Sequence, residues 1–317
     1  MVLALTSLLS ATTLLPMTTF STSDIPSMAG RTVIVTGSNS GIGRAAATAL
    51  AAKGARVVLA VRNLDKGRAA AATMVGETEV RRLDLASLES IRAFAGDWGE
   101  QPIDLLINNA GIMIPPLTRT ADGFELQFGT NHLGHFALTN MLLPRVTGRV
   151  VTVASSAHRH GAIMDLDDPN WERKPYKAWR AYGQSKLANL LFTGELQRRL
   201  TEVGSPVIAT AAHPGYAATN LQFQSGQRIM DAISAIGNRL LAQSEADGAL
   251  PTLYAAVADI PGNSYAGPSG FMEGRGAPTL VGRTKLAQDA DLARRLWMLS
   301  EELTGVTFPL SSATVAA

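Results

Sequence analysis

Thr36-Gly37-Ser38-Asn39-Ser40-Gly41-Ile42-Gly43 is the stretch on which the reading of this chain turns. It follows the apolar run Val33-Ile34-Val35 and leads into Ile42 to Lys53, an Ala-rich stretch closed by Gly54. The run reads as a buried strand, and the stretch as a helix with a glycine after its C-terminus. Gly37 permits the tight turn, Gly41 lets backbone approach a pyrophosphate, and Gly43 lets the helix pack close to the strand. The helix start offers free N–H groups and the positive end of its dipole to phosphate oxygens. The whole loop, Gly37 to Gly43 with Arg44 behind it, therefore predicts nucleotide binding.

Outward from this loop, strand and helix alternate. Strands are expected at Val57–Val61, Val80–Leu83, Ile103–Ile107, Arg149–Ala154, Val207–Ala212 and within Tyr265–Met272. Helices are expected at Leu64–Met74, Ser87–Trp98, Phe124–Leu143, Tyr182–Leu200 and Glu245–Ala258. Apolar strands without polar alternation belong to a parallel sheet covered on both faces. The pattern predicts an α/β fold, a doubly wound Rossmann-type sheet of about seven parallel strands in a single domain over residues 30–317. Residues 216–243 read as an apolar insertion that either closes a substrate pocket or packs as a helix pair.

Residues 1–29 are expected to be a leader outside the fold, disordered or preceding a later true start such as Met17. Met1–Phe20 has no Lys or Arg, and Pro16 breaks it. A secretory signal wants a positive start, and a spanning helix wants ~20 unbroken apolar residues. No membrane span is expected, and the expected location is cytoplasmic.

The 317 residues are 46% hydrophobic and 17% charged, which is globular composition. There is no cysteine, so disulfides, thiolate metal sites and a Cys nucleophile are excluded. A net charge of +2 without a basic run gives no nucleic-acid surface. The pairs His132/His135 and His158/His160 lack a carboxylate or thiol at matching spacing, so no metal site is expected.

The choice of nucleotide follows from the end of the second strand. An NAD site usually carries an acid there for the ribose 2′-hydroxyl. Here the sequence is Ala60-Val61-Arg62-Asn63. Arg62 and Arg44 suit a 2′-phosphate instead, which points to NADP(H). Asp84, after the third strand, is placed to accept from the adenine amine. Tyr182 and Lys186 are four residues apart on a helix and so share one face. A phenol ionises near pH 10, and a neighbouring ammonium should lower that value.

Taken with Thr36–Gly43, the motifs Asp84-Leu85, Asn108-Asn109-Ala110-Gly111, Asn131, Ser155-Ser156, Tyr182/Lys186 and His213-Pro214-Gly215 with Thr219 resemble the short-chain dehydrogenase/reductase family. The resemblance runs from about Gly30 to Phe271. It implies that Tyr182 is the general acid/base. Ser156 would orient the substrate oxygen, with Ser155 the neighbouring alternative. Lys186 would bind the nicotinamide ribose, and Asn131 would hold a relay water. Asn109, Ala110 and Gly111 would line the cofactor, as would Asp84 and Leu85. Pro214, Gly215 and Thr219 would position the carboxamide.

The 26-position gap from Ser156 to Tyr182, with Asn131-His-Leu-Gly-His-Phe, is similar to the retinol dehydrogenase / protochlorophyllide reductase branch. That branch implies a small apolar carbonyl or alcohol substrate. The light-driven members use a cysteine, which is missing here. Trp171, Tyr176 and Trp179 either line the pocket or pack the insertion. Competing readings are a silent NADP-binding sensor or scaffold, and an epimerase or dehydratase on the same fold. A homo-oligomer stays open.

Overall fold

A computed structural model describes residues 19–215 and 244–315 of the chain. The expected insertion at 216–243 and Thr219 lie outside the described residues. The strands are β1 (Thr32–Thr36), β2 (Arg56–Val61), β3 (Thr78–Arg82), β4 (Ile103–Asn108), β5 (Val146–Val153), β6 (Ile208–Ala212), β7 (Tyr265–Pro268) and β8 (Pro278–Leu280). They form one sheet in the order β3-β2-β1-β4-β5-β6-β7-β8. Seven strands run parallel. β8 pairs antiparallel with β7, which adds an eighth strand to the expected seven. The expected last strand through Met272 ends at Pro268, because the chain there turns back into β8.

The helices are α1 (Gly41–Ala52), α2 (Leu64–Ala71), α3 (Leu88–Gly96), α4 (Leu126–Phe128), α5 (Gly134–Leu142), α6 (Ala178–Glu202), α7 (Glu245–Val257) and α8 (Ala290–Thr304). Successive strand residues point to opposite faces, so each strand feeds two cores. Ile34 and Leu106 face the core shared with α3, α5, α6 and α8. Val33, Val35, Leu105 and Ile107 face the core under α1 and α7. On the first face Phe192 stacks on Trp297 at 5.7 Å, and Phe136 meets Trp297 edge-on at 4.9 Å. α8 had no counterpart in the sequence reading.

The folded unit begins ahead of the expected boundary at Gly30. Ile25 and Met28 are buried in the core under α1, and Met28 N donates to Lys53 O at 2.8 Å. The described part of the expected leader is thus packed structure. Their apolar area is what holds it there. Among the described residues no helix is long and apolar enough to cross a membrane.

The strand order reverses between β1 and β4. Their carboxyl ends open one crevice, the place where an open α/β sheet takes its ligand. The first glycine loop, Asn109 to Gly111 and Ser155 follow the carboxyl ends of β1, β4 and β5, and Asn131, Tyr182 and Lys186 lie on helical segments.

Candidate active site

The phosphate loop leaves β1 at Thr36. Gly37 has φ +67°, and a Cβ there would lie 2.9 Å from the Ala110 Cβ. A Cβ on Gly43 would fall 2.3 Å from Asn109 Nδ2. The loop therefore needs glycine at both positions to close on the β4 end. Ser38 is buried and donates to Val35 O at 2.8 Å, so its hydroxyl serves the turn. Ser40 caps α1 without a side-chain bond, and the first turn of α1 holds no acid. The N–H groups of that turn are free to meet an anion.

Thr36 ties this loop to β4. Its Oγ1 accepts from Asn109 N at 2.9 Å and from Ala110 N at 2.9 Å. The Asn109 side chain donates back to Thr36 O at 2.8 Å. Gly111 follows, and a Cβ there would lie 3.2 Å from Asn131 Oδ1 and 3.4 Å from Lys186 Nζ. Gly111, Asn131 and Lys186 thus converge on one point beside the crevice.

Asn131 occupies the middle of a π-helical turn, Gly129–Leu133, between α4 and α5. Such turns concentrate at functional sites because they reorient backbone groups. Phe124–Leu143, expected as one regular helix, is interrupted for this reason. Glu125 is buried and fixes the start of the segment by accepting from Gln127 N and Phe128 N at 3.0 and 2.7 Å. The Asn131 amide is held on both sides: Oδ1 accepts from Ile112 N at 2.8 Å, and Nδ2 donates to Ile112 O at 3.0 Å and to Ser185 Oγ at 2.9 Å.

Tyr182 and Lys186 face inward from α6. The helix starts at Ala178, a turn earlier than expected, so Tyr182 lies inside it and away from the fraying end. Lys186 is 4% exposed and donates to Val153 O at 3.0 Å. Its Nζ stands 5.8 Å from the centroid of the Tyr182 ring. Burial pushes the Lys186 ammonium down to about 8. Burial pushes the Tyr182 phenol above its ordinary value, and a hydrogen bond with Ser155 pulls the other way. The expected lowering of the phenol by Lys186 is not met, because the ammonium is turned to the Val153 carbonyl.

Of the two serines, Ser155 is the one that acts on the phenol, pulling it back toward its ordinary value. Ser155 caps the short 3-10 turn Ser156–Arg159, accepting from Ala157 N at 3.2 Å, and Ser156 opens that turn. The exit angle of β5 decides between the two neighbours.

His213-Pro214-Gly215 ends β6 and borders the same crevice. Gly215 N donates to His213 Nδ1 at 3.2 Å, so Nε2 carries the proton and donates to Glu273 Oε2 at 2.9 Å. Arg159 holds the other Glu273 oxygen at 2.8 Å. Glu273 and Met272 both have positive φ, 56° and 50°. That conformation is uncommon outside glycine, and here the Arg159 ion pair and the His213 hydrogen bond to Glu273 hold it. Sequence reasoning missed Glu273. Nothing local marks a residue 60 positions from its partner.

The remaining expected residues are spread along the crevice. Arg62 is exposed at the end of β2 and makes no ion pair among the described residues. Arg44, expected beside it on a phosphate, pairs with Glu245 of α7 at 2.9 Å instead. Asp84 accepts from Ala86 N through Oδ1 at 3.0 Å, and Leu85 is buried next to it. Trp171 and Tyr176 pack the 157–177 segment, edge to face at 5.5 Å. Trp179 is 47% exposed and lies 5.9 Å from the Tyr182 ring. Among the described residues no three His, Asp or Glu side chains are grouped to hold a metal ion.

A glycine loop, a π-turn asparagine, and a buried tyrosine and lysine on one helix are thus gathered at the carboxyl end of the sheet. Residues 31–166 match the family model described as short chain dehydrogenase. The chain is 44% identical over 298 residues to human retinol dehydrogenase 13, covering 88% of this chain and 86% of that protein. It is 38% identical over 309 residues to human retinol dehydrogenase 14, covering 88% of each. A crystal structure of an uncharacterised protein from Mycobacterium paratuberculosis superposes with a TM-score of 0.81 at 52% identity, covering 92% of this chain and 100% of that one. A structure from Beutenbergia cavernae, described as an NAD(P)-dependent gluconate 5-dehydrogenase with bound NADP, has a TM-score of 0.55 at 26% identity. It covers 73% of this chain and 91% of that one. The chain belongs to the short-chain dehydrogenase/reductase family and is an oxidoreductase of that family. Within it, the chain is retinol dehydrogenase-like.

Proposed function

We propose that the chain is an NADP(H)-dependent oxidoreductase acting on an apolar aldehyde, ketone or alcohol, with Tyr182 as general acid/base. The observation that carries this reading is the buried set Tyr182, Lys186 and Asn131, with the half-buried Ser155 beside the phenol, at the mouth of the β1/β4 crevice. Residues of the crevice fit a dinucleotide. The first turn of α1 has free N–H groups, no acid and an uncommitted Ser40 cap. Gly37 and Gly43 keep the loop closed against Ala110 and Asn109.

NADPH, when bound, supplies the hydride. The chain's residues do the rest. The phenol, held protonated by burial, donates to the substrate oxygen as charge grows there. Ser155 donates a hydrogen bond to the same oxygen. Lys186 would hold the nicotinamide ribose. Asn131 would support the water through which the proton is replaced. Pro214 and Gly215 would position the carboxamide, a role the family resemblance also gives to Thr219. Arg62 would bind the 2′-phosphate, and Asp84 and Leu85 would bind the adenine. The relatives are named for retinol, a long apolar alcohol. Trp179 beside Tyr182 offers a matching apolar wall.

The test is absorbance at 340 nm with NADPH and NADH against retinoids, aliphatic aldehydes, steroids and quinones. Consumption of NADPH with an apolar carbonyl is expected. NADPH binding without turnover of any compound would favour the sensor reading. Conversion without net NADPH use would favour the epimerase.

A further inference from the structure

Resting on the enzyme reading above, we propose that His135 is a positioning residue that locks the main-chain carbonyl of Asn131 to the nucleotide loop through Thr36. His135 lies on α5, one helical turn after Asn131, and is fully buried. Its Nδ1 is 3.0 Å from Asn131 O. A carbonyl only accepts, so Nδ1 carries the hydrogen. Burial and the nearby Lys186 ammonium keep the ring neutral, with its pKa lowered to about 4. Nε2 is then a bare lone pair, 2.9 Å from Thr36 Oγ1.

Thr36 has one proton and two lone pairs. Both lone pairs are taken by the Asn109 and Ala110 amides. Its proton has two candidate acceptors, Nε2 at 2.9 Å and Ile107 O at 3.4 Å. The shorter contact leaves no buried lone pair on the ring unpaired, and that decides it. The chain of bonds therefore runs from the two amides to Thr36, to His135, and on to the Asn131 carbonyl, with every role fixed.

Ile112 and Ser185 take both hydrogens of the Asn131 side-chain amide and one lone pair of Oδ1. What Asn131 can still offer a relay water is a remaining lone pair on Oδ1 or on its main-chain carbonyl, and both depend on where the Asn131 backbone is held. His135 aims that carbonyl. It also holds the segment over which a dinucleotide would lie, so one ring couples cofactor seating to proton delivery.

The two nitrogens can be separated by substitution. In His135→Asn the amide N–H stands near Nδ1 and keeps the bond to Asn131, but the bond from Thr36 is lost. In His135→Gln the amide oxygen stands near Nε2 and keeps Thr36, but Asn131 loses its donor. His135→Asn should raise the NADPH dissociation constant about fivefold, read by cofactor fluorescence, and change kcat less than that. His135→Gln should lower kcat about tenfold and shift its pH profile, and change NADPH binding less. Thermal midpoints report whether either variant merely loosens the core.

Imidazole 15N shifts of His135 give a readout that needs no turnover. A neutral ring protonated at Nδ1 at pH 7 is expected, and the Nε2–H form or a charged ring would overturn the proposal. Parallel losses of binding, kcat and stability in both variants, or none in either, would overturn it too. A wild-type chain that binds NADPH but turns nothing over would instead sink the enzyme reading. The 15N shifts and the His135→Asn binding constant would still judge His135.

Discussion

Lys186 gives its hydrogen bond to the Val153 carbonyl at 3.0 Å and leaves the Tyr182 phenol to Ser155. The phenol is therefore held protonated by burial, and the ammonium does not compensate. A protonated phenol is a proton donor, so carbonyl reduction should be fast at neutral pH and fall as the pH becomes alkaline. Alcohol oxidation needs the phenolate and should rise over the same range. Rates in both directions from pH 6 to 11 check this, and reduction that peaks in alkali would contradict it. Tyr182→Phe should lower kcat at least about 100-fold while NADPH still binds.

The choice of serine is tested by Ser155→Ala against Ser156→Ala. The first should cost about 10- to 100-fold in kcat, because it removes the donor to the substrate oxygen. The second should cost far less. Ser155 also caps the turn at Ala157, so Ser155→Thr, which keeps hydroxyl and cap, should recover activity. Equal losses at both positions would return the role to the pair as a whole.

Arg62→Asp should weaken NADPH binding by about 10- to 100-fold and NADH binding little, since a charged hydrogen bond to the 2′-phosphate is lost only with the first. Arg44→Ala should have the smaller effect, because Arg44 already has Glu245. Dissociation constants for both nucleotides decide the matter, and equal weakening of the two would remove the NADP assignment.

Four buried histidines make the fold acid-sensitive, and burial lowers His158 as it does the other three. Burial lowers His132 to about 3, and His135 and His213 to about 4, against 6.5 for a free imidazole. Between pH 6.5 and 4 the unfolded chain binds protons that the folded chain refuses. Stability should therefore fall as the pH drops through that window, by on the order of 3 kcal/mol per histidine at most. Thermal midpoints at pH 7.5, 6.0 and 4.5 measure this. A flat midpoint down to pH 4.5 would contradict it.

Glu273 holds His213, and His213 holds the Gly215 amide. Glu273→Ala should release the Pro214–Gly215 turn and raise KM for the nicotinamide cofactor several-fold. His213 should then titrate lower still, because Glu273 is the group that raises it against the lowering by burial. Unchanged cofactor KM together with an unchanged 1H–15N spectrum of Gly215 would show that the contact is incidental.

The glycine loop and the Tyr182/Lys186 pair were legible because their geometry is local. A strand-to-helix junction and a four-residue spacing carry their own directions in space. His135 had the same four-residue relation to Asn131 and was passed over, since its second bond goes to Thr36, 99 positions away. Ser155 over Ser156 was not legible either. They follow the strand end by two and three residues, and only the packed exit of β5 orients them. The antiparallel β8 is three residues long, too short to leave a periodic signal.

Apolar runs, glycine positions and helical spacing were enough by themselves to determine a doubly wound sheet, its first glycine turn and the helix face that Tyr182 and Lys186 share, because each follows from neighbours along the chain. Partners far apart in sequence were decided only by folding. Arg44 went to Glu245, Glu273 to His213, and His135 to Thr36. The reason is that hydrogen-bond and ion-pair partners are chosen by distance in space, which burial and sheet order fix after the local elements have formed.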